Sequence, residues 1–159
     1  MDNTLVYLWA GLAVWLAWVW VAIGQGILAK QAMEVMGKNP KMSTFFLTIT
    51  ILWVALVESA VIYWLVVSFQ ILGAEGLNGF AAVWAGLAIG LTSLGAWIWE
   101  WKLVWGALEA MNRNPEFKGK IMSFMVLFLA LIEVVAIYGL IIAFQIIEKG
   151  TTIIDVVTK

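Results

Sequence analysis

Glu58 and Glu133 are the residues whose chemistry most needs explaining, because each carboxyl lies deep in an apolar run: Ala55-Leu56-Val57 precedes the first, and Val134-Val135-Ala136 follows the second. A charge at bilayer mid-depth is costly, so such a group is protonated, paired or ion-bound, and functional by default. The plainer alternative is a neutral glutamic acid making one interhelical hydrogen bond; occurrence of the same feature twice weighs against it. Depth can be matched by symmetry about a polar turn. The midpoint of residues 25 and 58 falls between Lys41 and Met42, which sets Gln25 level with Glu58, and the same sum sets Glu100 level with Glu133. Each pair offers oxygen ligands in apolar surroundings, which suits a hard cation. Ser59 adds a hydroxyl beside Glu58, and Tyr63 follows one helical turn later. Glu100 and Glu133 cannot both ionise cheaply, so they are expected to share a proton or a cation, and one proton plus one sodium ion would neutralise them.

Other chemistries are excluded by composition. The 159 residues include no cysteine and no histidine, which removes disulfides, thiolate metal sites and histidine-based acid–base catalysis. A conventional hydrolase is therefore not expected, and no organic cofactor is expected. A net charge of −1 with no basic run gives no field for nucleic acid.

The elements that position these carboxylates are long apolar helices. Hydrophobic residues make up 64% of the chain and charged residues 12%, far from the make-up of a soluble domain. Apolar runs near 5–28, 44–72, 80–108 and 121–147 each reach the roughly 20 residues needed to cross a bilayer. Met1-Asp2-Asn3-Thr4 lacks the basic start of a cleaved leader, so the first run is expected to remain as a span. The fold class is therefore an all-α membrane protein with four transmembrane helices.

Shifting the chain by 75 residues aligns its halves without a gap: Asn39-Pro40 falls on Asn114-Pro115, Glu58 on Glu133, and Tyr63 on Tyr138. Each half is a helical hairpin, and two spans per unit insert both hairpins in the same orientation. The organisation is a first hairpin over 1–72, a linker over 73–79, a second hairpin over 80–149, and a tail over 150–159 without clear helical punctuation, expected to fray. The turns inside the hairpins are basic, with Lys38, Asn39, Pro40 and Lys41 in one and Arg113, Asn114, Pro115 and Lys118 in the other. They are expected to face the cytoplasm of a bacterial-type inner membrane, with the termini opposite.

Gly24-Gln25-Gly26, the run from Ala32 to Pro40, and Val57-Glu58-Ser59-Ala60-Val61-Ile62-Tyr63 resemble the proteolipid ring subunit of rotary ATP synthases, over roughly 11–72 and 86–147. The wording is nearer the F-type branch, although duplicated hairpins are commoner in vacuolar-type members. The resemblance implies a ring of many copies that turns against a stator, whose arginine displaces the ion from each glutamate in turn. The loop residues would grip the central stalk. It also implies sodium-site roles for Gln25, Glu58, Ser59 and Tyr63, and a two-carboxylate variant at Glu100 and Glu133. Ala60 and Val134 depart from that pattern, so Na+ is favoured and H+ stays open.

Eleven tryptophans are the main departure from the family this chain resembles. There the inner helix carries small residues at alternate positions, which lets helices approach closely. Here Trp15, Trp18 and Trp20 stand where the second hairpin has Gly90, Ser93 and Gly95, while Trp97, Trp99 and Trp101 stand where the first has Ala22, Gly24 and Gly26. Bulky residues are expected to meet small ones at the inner contacts; the alternative is that the tryptophans face lipid or fill the lumen. Two further functions fit the same residues: a redesigned ring or pore that does not rotate, and a small four-helix exporter of organic cations.

Overall fold

The computed structural model describes residues 4–157. Met1, Asp2 and Asn3, which bear on the leader question, lie outside the described residues, as do Thr158 and Lys159. The described residues form five α-helices: α1 (Thr4–Lys38), α2 (Ser43–Val57), α3 (Ser59–Gly73), α4 (Gly79–Arg113) and α5 (Lys118–Val157). With α2 and α3 in line, they give four segments long and apolar enough to cross a membrane. They form two tandem helical hairpins, the second span running to Gly73, the third opening at Gly79 and the fourth reaching Thr151.

The hairpin turns repeat in conformation as well as in sequence. Asn39 (φ −136°, ψ 75°) and Asn114 (φ −131°, ψ 77°) leave helical geometry at the same point, and Pro40 and Pro115 each open a short 3-10 turn. Proline suits that position because it pushes the residue before it out of the helical region and has no N–H to leave unpaired. Between the hairpins Gly76 adopts φ +68°, a conformation that favours glycine. The Asn78 side chain then caps α4 by accepting from the Phe80 N–H at 2.8 Å.

The second span is broken at Glu58, which the sequence does not announce. The Val61 N–H donates to the Glu58 carbonyl at 3.0 Å, a three-residue spacing where the α-helix uses four. Helix α5 passes through Glu133 without interruption, so the two hairpins are not copies at this level.

The segment from Gly150, expected to fray, continues α5 to Val157. Close packing explains part of this: a methyl placed on Gly150 would lie 2.5 Å from the Ala81 Cβ, so the missing side chain lets α5 and α4 touch.

Helix α4 lies at the centre, against α5, α1 and α3. Toward the chain-terminal end, Ala10, Ala13 and Ala17 meet Ala82, Ala85 and Ile89, with Trp64 and Val67 closing the cluster. Toward the hairpin turns, Leu28, Phe46, Ile49 and Trp53 meet Val104, Leu108 and Met111. A smaller group of Val21, Val57 and Trp97 joins them near the carboxylates. Lipid tails are as apolar as these side chains, so close packing and interhelical hydrogen bonds hold the hairpins together. The buried Ser68 hydroxyl supplies one such bond, donating to the Ala10 carbonyl at 2.8 Å.

Candidate carboxylate site

Glu133 on α5 gathers the site. The Ser59 hydroxyl of α3 donates to Glu133 Oε1 at 2.6 Å, joining residues 74 positions apart and crossing from the first hairpin to the second. Tyr63, one turn along α3, lies close to the same carboxylate. Glu100 on α4 is 2% exposed, faces Glu133, and has Oε2 without a partner. Two carboxyls, an aliphatic hydroxyl and a phenol thus converge between α3, α4 and α5.

Depth matching pairs Glu100 with Glu133, and the structure brings them together. It regroups Ser59 and Tyr63, which the family resemblance implied for Glu58. Consecutive helical residues point about 100° apart, so Ser59 faces the second hairpin while Glu58 faces away from it. Glu58 is exposed, beside Ala29, Met33 and Val54 on an open face of α1 and α2. Gln25 is half-buried on α1, and neither residue forms a side-chain hydrogen bond among the described residues. Tyr138, the repeat partner of Tyr63, is 63% exposed.

At the turns, Lys38 and Arg113 are answered on their own helices by Glu34 at 3.9 Å and Glu109 at 2.8 Å. Gln31, which the sequence did not single out, is 1% exposed and donates to Glu109 across the hairpins at 3.4 Å. Asn39, Pro40, Asn114 and Pro115 remain at least partly accessible at that end.

The tryptophans divide into two groups. Trp97 lies over Gly24, Trp64 over Gly90 and Trp9 over Gly86; a methyl on Gly90 would come within 2.6 Å of the Trp64 ring. Bulky therefore meets small inside the chain, though not between the residues the alignment equates. Trp20 packs near Trp97, with ring centroids 6.4 Å apart, and Gly95 and Gly26 have nothing within 4 Å of an added methyl. Trp101 is half-buried beside Trp105, while Trp15, Trp18 and Trp99 stand exposed.

Among the described residues no three histidine, cysteine, aspartate or glutamate side chains converge as metal ligands. What converges is a mixed oxygen set, suited to a proton or to a hard monovalent ion held as cargo.

Fold and site together define a membrane protein of two tandem same-orientation helical hairpins, with Glu58 and Glu133 at equivalent places in the second helical span of each. The family of the ATP synthase C subunit matches residues 8–71 and again 83–146. The chain belongs to that family, whose members are non-catalytic membrane rotor components of the synthase. It is 39% identical over 71 residues to the ATP synthase c subunit of Carboxydothermus hydrogenoformans, covering 45% of this chain and 87% of the relative. Identity is 43% over 68 residues to the corresponding protein of Protochlamydia amoebophila, covering 43% and 69%, and 46% over 63 residues to that of Dehalococcoides mccartyi, covering 40% and 83%. Each match spans less than half of this chain, in keeping with a duplicated hairpin.

Proposed function

We propose that this chain is the ion-carrying component of a rotor ring in a rotary ATP synthase, and that Glu133 and Glu58 carry the ion. The observation that carries the reading is the cluster at Glu133. A buried carboxyl with a free oxygen, a second carboxyl, and two hydroxyls from another hairpin meet in an otherwise apolar wall. Such a set costs stability unless an ion or proton completes it.

Na+ is the favoured ion. Up to four side-chain groups can turn oxygens to it, and one retained proton leaves the Glu100–Glu133 pair with the single negative charge that Na+ neutralises. In a bacterial-type inner membrane the basic turns face the cytoplasm, where Lys38, Asn39, Pro40, Arg113, Asn114 and Pro115 meet the central stalk. A stator arginine displaces the ion as each site passes.

The test is ion-driven ATP synthesis by the whole synthase, reconstituted in liposomes with this chain as its ring. A Na+ gradient should drive synthesis, and Glu133→Gln should abolish it while ATP hydrolysis by the soluble part of the synthase persists. Undiminished synthesis in Glu133→Gln would overturn the assignment.

A further inference from the structure

Small residues face each other where α1 packs on α4. Ala13 and Ala17 stand one turn apart on α1, and Gly86, Gly90 and Ser93 fall on one face of α4 at helical spacing. Small against small leaves a gap that indoles narrow without closing: Trp9 lies over Gly86 and Trp64 over Gly90, while Trp97 turns across to Gly24. What remains is a cavity of about 170 Å³ inside the single chain, walled by these rings together with Val21 and Leu94. Trp20 and Leu91, 45% and 68% exposed, form its rim.

Two polar groups in this apolar wall have no partner. Ser93 and Trp97 are 2% and 5% exposed, and neither the hydroxyl nor the indole N–H makes a hydrogen bond among the described residues. They stand four residues apart on α4, so they are neighbours on the face that lines the cavity. Such groups are costly to leave unpaired away from water. An indole N–H can only donate and a hydroxyl can donate as well, so an acceptor completes the pair, and one carbonyl oxygen has lone pairs for both. No ionisable side chain lines the cavity, which selects a neutral molecule. A dry apolar cavity of about 150 Å³ holds one benzene, so this one takes a single ring with a small substituent, and the indole faces suit a flat one. In the repeat Gly90, Ser93 and Trp97 correspond to Trp15, Trp18 and Ala22, so the donor pair occurs once per chain.

We propose that the cavity between α1 and α4 binds a neutral one-ring carbonyl compound drawn from the lipid phase, its ring held among the indoles and its oxygen accepting from Ser93 and Trp97. Entry is over the apolar rim of Trp20 and Leu91, which a charged molecule would not cross. The site is complete within one chain and uses none of the carboxylates, so it stands apart from the ion-carrying role of Glu58 and Glu133.

Acetophenone is the probe, having one ring, one carbonyl and no charge. The full chain in lipid vesicles is titrated with it, and its carbonyl stretch is followed by isotope-edited infrared difference spectroscopy. A band at lower frequency than in protein-free vesicles should appear and saturate at one molecule per chain. In competition, α-methylstyrene, in which a methylene group replaces the oxygen, should bind at least about 5-fold more weakly. Ser93→Ala and Trp97→Phe each keep an apolar wall and remove one donor; each should weaken binding about 5-fold and return the band part of the way. Ala17→Leu fills the cavity and should remove the band while helical circular dichroism is retained. The proposal is overturned by the lack of a saturable band in the unaltered chain, by a band that neither donor variant moves, by equal binding of α-methylstyrene, or by a folded Ala17→Leu chain that keeps the band.

Discussion

Ser59 and Glu133 lie 74 residues apart, and the hydroxyl of one donates to the carboxylate of the other at 2.6 Å. That bond ties the hairpins at the level of the carboxylates and gives Glu133 a partner that its own hairpin lacks, because Val134 occupies the corresponding place there.

Ser59→Ala is therefore expected to act on the distant Glu133 and to spare the adjacent Glu58. Removing a group that orients an ion ligand weakens ion binding by about 10- to 100-fold. Sodium protection of each glutamate against a carboxyl-reactive carbodiimide, read by peptide mass, checks this; a loss confined to Glu58 would show that the hydroxyl serves its neighbour in sequence.

Glu100→Gln and Glu100→Leu should part company. The amide keeps an oxygen ligand and resembles the place of Gln25, so Na+-driven ATP synthesis is expected to continue. Leucine removes the ligand and should abolish synthesis. Equal loss in both variants would show that the second carboxyl itself is required.

Gly24→Leu drives a side chain into the Trp97 ring. Overpacking of this kind costs about 1–3 kcal/mol. Thermal unfolding in detergent, followed by helical circular dichroism, should show the loss, and adding Trp97→Ala should recover part of it because the two residues share one contact.

Ser68→Ala removes the hydroxyl that donates to the Ala10 carbonyl between α3 and α1. Interhelical hydrogen bonds in membranes average about 0.6 kcal/mol and reach about 1.7 kcal/mol. A decrease in that range is expected in the same unfolding measurement, with ion-driven synthesis retained.

Much of this was legible in the sequence, for identifiable reasons. Four spans follow from hydrophobic length, and the hairpin turns from Asn-Pro, because both signals are local. Pairing of Glu100 with Glu133 followed from depth alone, since a hairpin fixes which residues share a level. The partner of Ser59 was not legible: its position beside Glu58 in sequence says nothing about facing, which depends on how the hairpins pack. The break at Glu58 was hidden because its residues are ordinary helix formers. For the tryptophans, alternation of large with small was visible, whereas the partners were not. Trp64 reaches Gly90 from a different span, and no alignment of the repeat with itself shows that contact.

The most direct measurement is carbodiimide labelling of Glu133 and Glu58 in the same native sample, resolved by peptide mass as Na+ is raised at fixed pH. Both carboxyls should label without Na+, and protection of Glu133 should set in at lower Na+ than protection of Glu58, giving two distinct curves. Absence of labelling at both residues, or protection of Glu58 ahead of Glu133, would contradict an ion site built on Glu133 from Ser59, Tyr63 and Glu100.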